Sequence, residues 1–359
     1  MSTLNFYCPR STCCMHKKPT QNFFNKNGSY FENEIKIQRY KCKNCSKTFN
    51  AKHLKLDYRC RRKNIYEDIF HCSTQGMSNR AIARKLGMAE SSIRNRLKHL
   101  SRQALLRWEQ LQRPHKIQED VCYDGFETFV YSQYDPNNIN HAVGKKSFFL
   151  YDFNYSHINR KGRMTSAQRK RLRDIQQKNG RYPQNLIYTQ SKKIFSYIDL
   201  KKENRLTLYT DEHFSYTKAL NTLNLSKINH HQTNSKDHRG VNNHLFPINH
   251  LDMKLRHFLK SCTRETIAFN KNEMGLMDRY ILHGVQKNFL RPRFLKHGKN
   301  KEEKSPAMLI EILDKIMTFS EFFNVRKTSL QINLREEWRN YYRRISEHSR
   351  FYTREYMGA

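Results

Sequence analysis

Nine cysteines stand in this 359-residue chain, and five of them crowd near its start, at Cys8, Cys13, Cys14, Cys42 and Cys45. The stretch Met1-Ser-Thr-Leu-Asn-Phe-Tyr-Cys8 lacks the apolar run of a secretory signal. The expected compartment is therefore the reducing cytoplasm, where clustered thiols favour a metal over disulfides. Cys8-Pro-Arg-Ser-Thr-Cys13-Cys14 and Cys42-Lys-Asn-Cys45 read as two knuckles. Tetrahedral zinc takes four thiolates, and two short loops can each aim two at one point. Cys13 and Cys14 compete for one position, and Cys13 is favoured. Between the knuckles, Asn27-Gly28 is a hairpin signal, and Ile35-Lys-Ile-Gln-Arg-Tyr40 reads as a strand. Residues 1–50 are thus expected to form a zinc ribbon with Cys8, Cys13, Cys42 and Cys45 as ligands. So small a module has little core, so structural Zn²⁺ should supply its stability.

Charge narrows the partner. Lys and Arg number 67 against 32 Asp and Glu, a formal net charge of +35. Such a surface attracts phosphate and repels free cations. The 22 Phe and 20 Tyr still allow a core. No stretch approaches the roughly 20 apolar residues of a membrane helix, so no membrane partner is expected. Basic residues and aromatics run along the whole chain, which makes nucleic acid the expected partner.

Residues 60–103 carry a helix-turn-helix pattern. Ile65, Ile69 and Cys72 fall at helical spacing in a first helix. Ser78 is an N-cap for the next, Ile82 and Leu86 form its apolar pair, and Gly87 ends it. A further helix spans 90–100, with Ile93, Leu97 and Leu100 facing inward. Its outward residues include Ser91, Arg94, Asn95 and Lys98, types that contact base edges or phosphate. The same pattern also fits a helical pair with a solvated basic face. Residues 101–118 read as a helical linker ending at Pro114.

Three acids lie in the next region, residues 117–295. Asp124 falls in Val121-Cys-Tyr-Asp-Gly-Phe-Glu-Thr-Phe-Val130, read as a strand or bent hairpin. Asp211 ends the strand Arg205-Leu-Thr-Leu-Tyr-Thr210. Asp252 lies in a helical stretch, on one face with Asn249 and Arg256. Ser147–Phe153 is a further expected strand, and Thr165–Lys178 a basic helix ended by Asn179-Gly180. Each acid alone also fits a bland role: an Asp-Gly turn, a loop acid beside Glu212, a helix surface acid paired with Arg256. Together, in a chain this basic, gathered carboxylates imply a bound divalent metal, and metal plus phosphate is the chemistry of phosphodiester transfer. Strand acid, strand-end acid and helix acid describe an RNase H-like catalytic core. Arg256 and Lys260 follow Asp252 at helical spacing and could contact phosphate. Residues 297–305 read as an exposed linker. Residues 305–359 read as a helical C-terminal extension, with an apolar helix over Ala307–Ile316 that packs on the core or on a second subunit. The expected fold class is multidomain α+β.

The order of these features resembles bacterial insertion-sequence transposases of the DDE type. The motifs that carry the resemblance are Arg39-Tyr-Lys-Cys-Lys-Asn-Cys-Ser-Lys-Thr-Phe49, Tyr123-Asp-Gly-Phe-Glu-Thr-Phe129, Arg160-Lys-Gly-Arg-Met-Thr165, Tyr209-Thr-Asp211 and Ile248-Asn-His-Leu-Asp252 with Arg264-Glu-Thr266. They span roughly residues 1–295. The sequence departs from the family in having Asp252 where many relatives have Glu, and in its doubled Cys13-Cys14. The resemblance implies a catalytic and metal-binding triad of Asp124, Asp211 and Asp252. It implies Mg²⁺ or Mn²⁺ as cofactor, and double-stranded DNA as partner, both inverted-repeat transposon ends and target. It further implies a homodimer or higher oligomer on DNA, associated with the bacterial nucleoid. Two other readings stay open: a non-catalytic DNA-binding regulator derived from a transposase, and a nuclease on the same core without strand transfer.

Overall fold

Two knuckles, a run of aromatics and a glycine in the wrong place for a turn shape the N-terminal sheet. A computed structural model describes residues 6–225, 227–234, 236–263, 266–295 and 303–346. After a short helix α1 (Cys14–Lys17), strands β1 (Phe24–Glu32), β2 (Ile35–Cys42) and β3 (Thr48–Phe49) form an antiparallel sheet in that order. The turn expected at Asn27-Gly28 is not there. Gly28, at φ 69°, sits in a bulge of β1 where the register shifts between Lys26 and Ser29. The hairpin closes instead at Asn33-Glu34, with φ 49° and 65°. A left-handed glycine serves a bulge as readily as a turn, and two consecutive positive φ values suit a tight hairpin. Phe23 and Phe49 stack at 6.1 Å, with Phe6, Phe24 and Tyr40 packed around them.

The next three helices are α2 (Tyr66–Thr74), α3 (Asn79–Leu86) and α4 (Glu90–Gln112). Ser78 caps α3 as expected, its Oγ accepting from Ala81 N at 3.2 Å, and Gly87 ends it at φ 58°. The helix expected over 90–100 and the helical linker expected after it are continuous. α4 runs 23 residues, because nothing between Glu90 and Gln112 is Gly or Pro. The outward helix and the supposed linker are one rigid rod. Its first half buries Ile93 and Leu97, and its second half drives Leu105, Leu106 and Trp108 into the main core.

That core is built on β4 (Val121–Phe129), β5 (Pro136–Gly144), β6 (Leu150–His157), β7 (Leu206–Thr210) and β8 (Ile228–Gln232). The sheet order is β6-β5-β4-β7-β8. β5 runs antiparallel to both β4 and β6, while β7 and β8 run parallel with β4. A mixed five-stranded sheet of this order is consistent with the expected RNase H-like core. The helices are α5 (Ser166–Asn179), α6 (Leu186–Lys201), α7 (Phe214–Leu223), α8 (Phe246–Phe258) and α9 (Glu273–Val285), the last running on into a π-helical turn at Gln286–Leu290. α6 covers one face, where Asn154 donates to Gln190 O at 2.8 Å and Tyr123 pairs with Ser191 at 2.8 Å. α4, α8 and α9 cover the other, with Phe153 against Trp108 and Tyr280, and Arg256 over Phe126. Gly284 lets α4 close on α9: a Cβ there would come within 2.7 Å of Trp108.

Sequence reading missed β5 and set β6 three residues early. β5 is Pro-Asn-Asn-Ile-Asn-His-Ala-Val-Gly, wholly buried despite three Asn and a His. Asn138 donates to Asn140 within the strand, and Asn140 to Asn154 and Ser156 across the sheet, each at 2.8 Å, while the Asn137 amide makes no hydrogen bond. Residues 145–147 form a turn and Phe148 follows at φ 62°, so β6 begins later.

The C-terminal helix expected over 307–316 stops early. Only α10 (Pro306–Leu309) forms, and Glu311 turns to φ 60°. Ile310, Ile312 and Leu313 pack on the core from an irregular backbone instead. After α11 (Phe319–Phe322), residues 325–333 run as a strap towards α12 (Glu336–Arg343). The strap accepts from Tyr7 Oη through Arg326 O at 2.7 Å and donates from Arg326 N to Leu54 O at 2.7 Å. Gln331 donates to His16 O at 2.9 Å, and Gln103 of α4 binds Lys327 through both its amide atoms. Most of the expected 297–305 linker, the Arg264-Glu265 part of one motif and residues 347–359 lie outside the described residues. No described helix is long and apolar enough to cross a membrane.

Candidate active site and metal centre

Asp124 sits within β4, and its register places it opposite His141 of β5. Cys122 of β4 pairs with Tyr209 of β7, so Asp124 and Asp211, each two residues on, lie level on neighbouring strands. Asp252 comes from α8, held against the sheet by buried Leu251 and Leu255. The three expected acids therefore converge from a strand, a strand end and a helix.

Their electrostatics agree with that placement. Burial, then Asp211, then Asp252 push the Asp124 carboxyl well above the usual carboxylate range. Gly125 N and Tyr216 Oη donate to its Oδ1 at 2.6 and 3.3 Å and offset only part of this. Asp211 Oδ1 accepts from His213 N at 2.9 Å. Asp252 Oδ1 is buried and accepts no hydrogen bond, although His141 Nε2 stands 3.2 Å away. A repelling set of acids with a buried, unsatisfied oxygen suits a cation. His141 and Tyr216 were not foreseen. His141 lay hidden in the polar strand β5, and Tyr216 carries no signal beyond its closeness to Asp211 in the chain.

The cysteines form the second centre. Sulfurs of Cys8, Cys13, Cys42 and Cys45 all lie within 4.8 Å of one another. Among the described residues this is the one such group of metal-ligating atoms, and the three carboxylates form no second group of that tightness. Cys8 and Cys45 stand 3.4 Å apart, and Cys13 and Cys42 3.9 Å, too far for S–S bonds of about 2.05 Å. All nine cysteines are free thiols. Burial pushes Cys8 and Cys13 up. Burial also opposes ionisation of Cys45, but Lys47 N and the neighbouring thiols bring it down to about 7. Four cysteines so close could bind zinc. Cys14 is exposed at the start of α1, outside the set.

On α4, Arg94 and Asn95 are exposed and Lys98 is half-buried. Arg94 reaches Glu90 at 3.9 Å. Arg256, expected to contact phosphate, lies over the Phe126 ring and donates to Cys262 O at 3.1 Å. Its guanidinium is turned into the fold. Lys260 is exposed.

No family model matches the sequence, and no curated protein matches it. Among solved structures, the chain is similar to a chain of the cryo-EM structure of a simian T-cell lymphotropic virus intasome in complex with the PP2A regulatory subunit B56 gamma. The match has 13% identity and a TM-score of 0.25, and covers 68% of this chain and 74% of that chain. A TM-score of 0.25 does not establish a shared fold.

Proposed function

We propose that this chain is a DNA transposase of the DDE type, with an RNase H-like core that cuts and joins phosphodiesters at inverted-repeat transposon ends. The observation that carries the reading is the convergence of Asp124, Asp211 and Asp252 on one corner of the mixed sheet, where burial and then the two neighbouring acids push the Asp124 carboxyl up, in a chain of charge +35. Nothing in the packing calls for three acids there; a phosphate-handling metal site does. Asp124, Asp211 and Asp252 would hold divalent Mg²⁺ or Mn²⁺. Such ions keep several waters and need few carboxylates, so a loose acid set suits them. When bound, they supply activation of an attacking oxygen and neutralisation of the leaving one.

The chain's own residues do the positioning. Tyr216 and Gly125 N fix the Asp124 carboxyl, His213 N fixes Asp211, and His141 backs Asp252. The cysteine-bound ribbon and the first half of α4 would hold the terminal repeat, with Arg94, Asn95 and Lys98 facing the DNA. Water attack would nick the end, and the freed 3′-OH would then attack the target strand, displacing a 3′ oxygen.

The test is a Mg²⁺-dependent nicking assay on DNA carrying the element's ends. Asp211→Asn keeps shape but removes charge, and it should lower nicking by at least about 10²-fold while end binding survives. End binding without metal-dependent nicking by the wild-type chain would replace this reading with a non-catalytic DNA-binding regulator.

A further inference from the structure

On the α8 face opposite Asp252, basic residues meet with no carboxylate paired to them among the described residues. Lys254, His283, Gln286, Lys287 and Arg291 line a hollow of about 20 Å³. Lys254 lies on the α8 face of His250 and Phe258, not on that of Asp252 and Arg256. His283 is 3% exposed, and neither of its ring nitrogens makes a hydrogen bond. Burial, then Lys254, Lys287 and Arg291, lower it to about 3, and all three basic side chains line the same hollow. Among the described residues, no carboxylate lies within 4.0 Å of any of them. Glu119 acts on Lys287 from farther off, but its oxygens are taken by Ser147, by Tyr151 Oη at 2.8 Å and by Lys146 N at 2.7 Å.

A buried cation without a counter-charge is costly, and burial accordingly brings Lys254 down to about 8 and Lys287 well below the ordinary lysine range. Lys287 Nζ donates to Phe148 O, and Lys254 Nζ to Arg293 O at 3.1 Å. An ammonium has three donors, so each keeps two in hand. The backbone beside them is the π-helical turn Gln286–Leu290, a form that recurs at functional sites.

We propose that this hollow is an oxyanion site that takes a phosphate group, with Lys254, Lys287, Arg291 and His283 as its donors. A volume of 20 Å³ admits about one water-sized group. One phosphate oxygen enters, and the others remain at the mouth, where the half-buried Arg291 can grip two of them. In a chain of charge +35 the fitting source is the backbone of bound DNA. Inorganic phosphate has the same chemistry.

The experiment is thermal unfolding of the full chain in phosphate and in chloride at equal ionic strength. The wild-type Tm should rise saturably with phosphate. Lys287→Met removes a buried cation, so its Tm without phosphate should equal or exceed the wild type, and its phosphate response should vanish. Arg291→Ala, at a half-exposed position, provides a second reading should Lys287→Met fold poorly. It should lose most of the response, and it should lower the salt slope of duplex binding by about 1 if the group belongs to DNA. A lost phosphate response with an unchanged slope keeps the site and assigns it to free phosphate. A wild-type Tm that follows ionic strength whatever the anion overturns the proposal, as does a full phosphate response in both variants. No cleavage is measured, so failure here leaves the three-carboxylate reading standing.

Discussion

His141 Nε2 lies 3.2 Å from Asp252 Oδ1, while its Nδ1 is 3.1 Å from Tyr280 Oη. The imidazole is wholly buried and stands cross-strand from Asp124. It thus ties β5, α8 and α9 together beside two of the three acids. His141→Phe keeps a ring in the core but removes both nitrogens. Partners that orient a metal-binding carboxylate are typically worth about 10–100-fold in metal affinity. The Mn²⁺ concentration for half-maximal nicking should therefore rise by about that factor, with DNA binding unchanged. An unmoved Mn²⁺ titration would leave His141 with a packing role only.

Asp124 should make the metal-free protein less stable at neutral pH than at acid pH. Its folded carboxyl is raised, so the stability it contributes is present below the usual carboxylate range and is lost as pH rises through the raised value. Asp124→Asn should melt a few degrees above the wild type at pH 7 in buffer free of divalent ions, and the gap should close towards pH 4. Added Mn²⁺ should raise the wild-type Tm and not the variant's. Chelators must be avoided, since they would strip the cysteine site as well. A variant that melts below the wild type at pH 7 would contradict the crowding of the three acids.

One zinc per chain is expected at Cys8, Cys13, Cys42 and Cys45. Metal at such a site contributes about 10–16 kcal/mol in isolated zinc modules. Cys42→Ser should show zinc loss by elemental analysis and rapid proteolysis of the first 50 or so residues, while Cys14→Ser should keep its zinc. Equal zinc content in the two variants would reject the ligand set.

On α4, Arg94→Ala and Asn95→Ala should weaken binding to a transposon end by about 1–3 kcal/mol and affect random duplex less. Lys98→Ala should weaken both alike and reduce the salt slope by about 1. Fluorescence anisotropy across a salt series reads both. Equal losses on the two DNAs for Arg94 and Asn95 would mean that this helix does not read bases.

Local chemistry was legible in the sequence, and long-range partnership was not. The knuckle spacing, the Ser78 cap, Gly87 and the acids at Asp124, Asp211 and Asp252 are short-range signals; the structure gathers the four sulfurs within 4.8 Å and sets Asp211 and Asp252 near enough to act on Asp124. β5 was invisible because its strand is buried on polar residues whose partners, Asn154 and Ser156, lie 14 and 16 positions away. Asn27-Gly28 misled because a left-handed glycine does not say whether it closes a turn or bulges a strand. Ala307–Ile316 misled because apolar residues at helical spacing can also pack from a broken backbone, as Glu311 at φ 60° shows. The buried cations near the π-helical turn gave no warning either, since Lys and Arg are everywhere in this chain.

The strap has a consequence for synthesis. Tyr7 finds its acceptor on Arg326, 319 positions later, and His16 meets Thr328, 312 later. A ribosome adding about 5–20 residues per second leaves the cysteine module waiting tens of seconds for the segment that seats it. Through that interval the earliest-made part of the chain must hold itself together by its own sulfurs and whatever zinc they have caught.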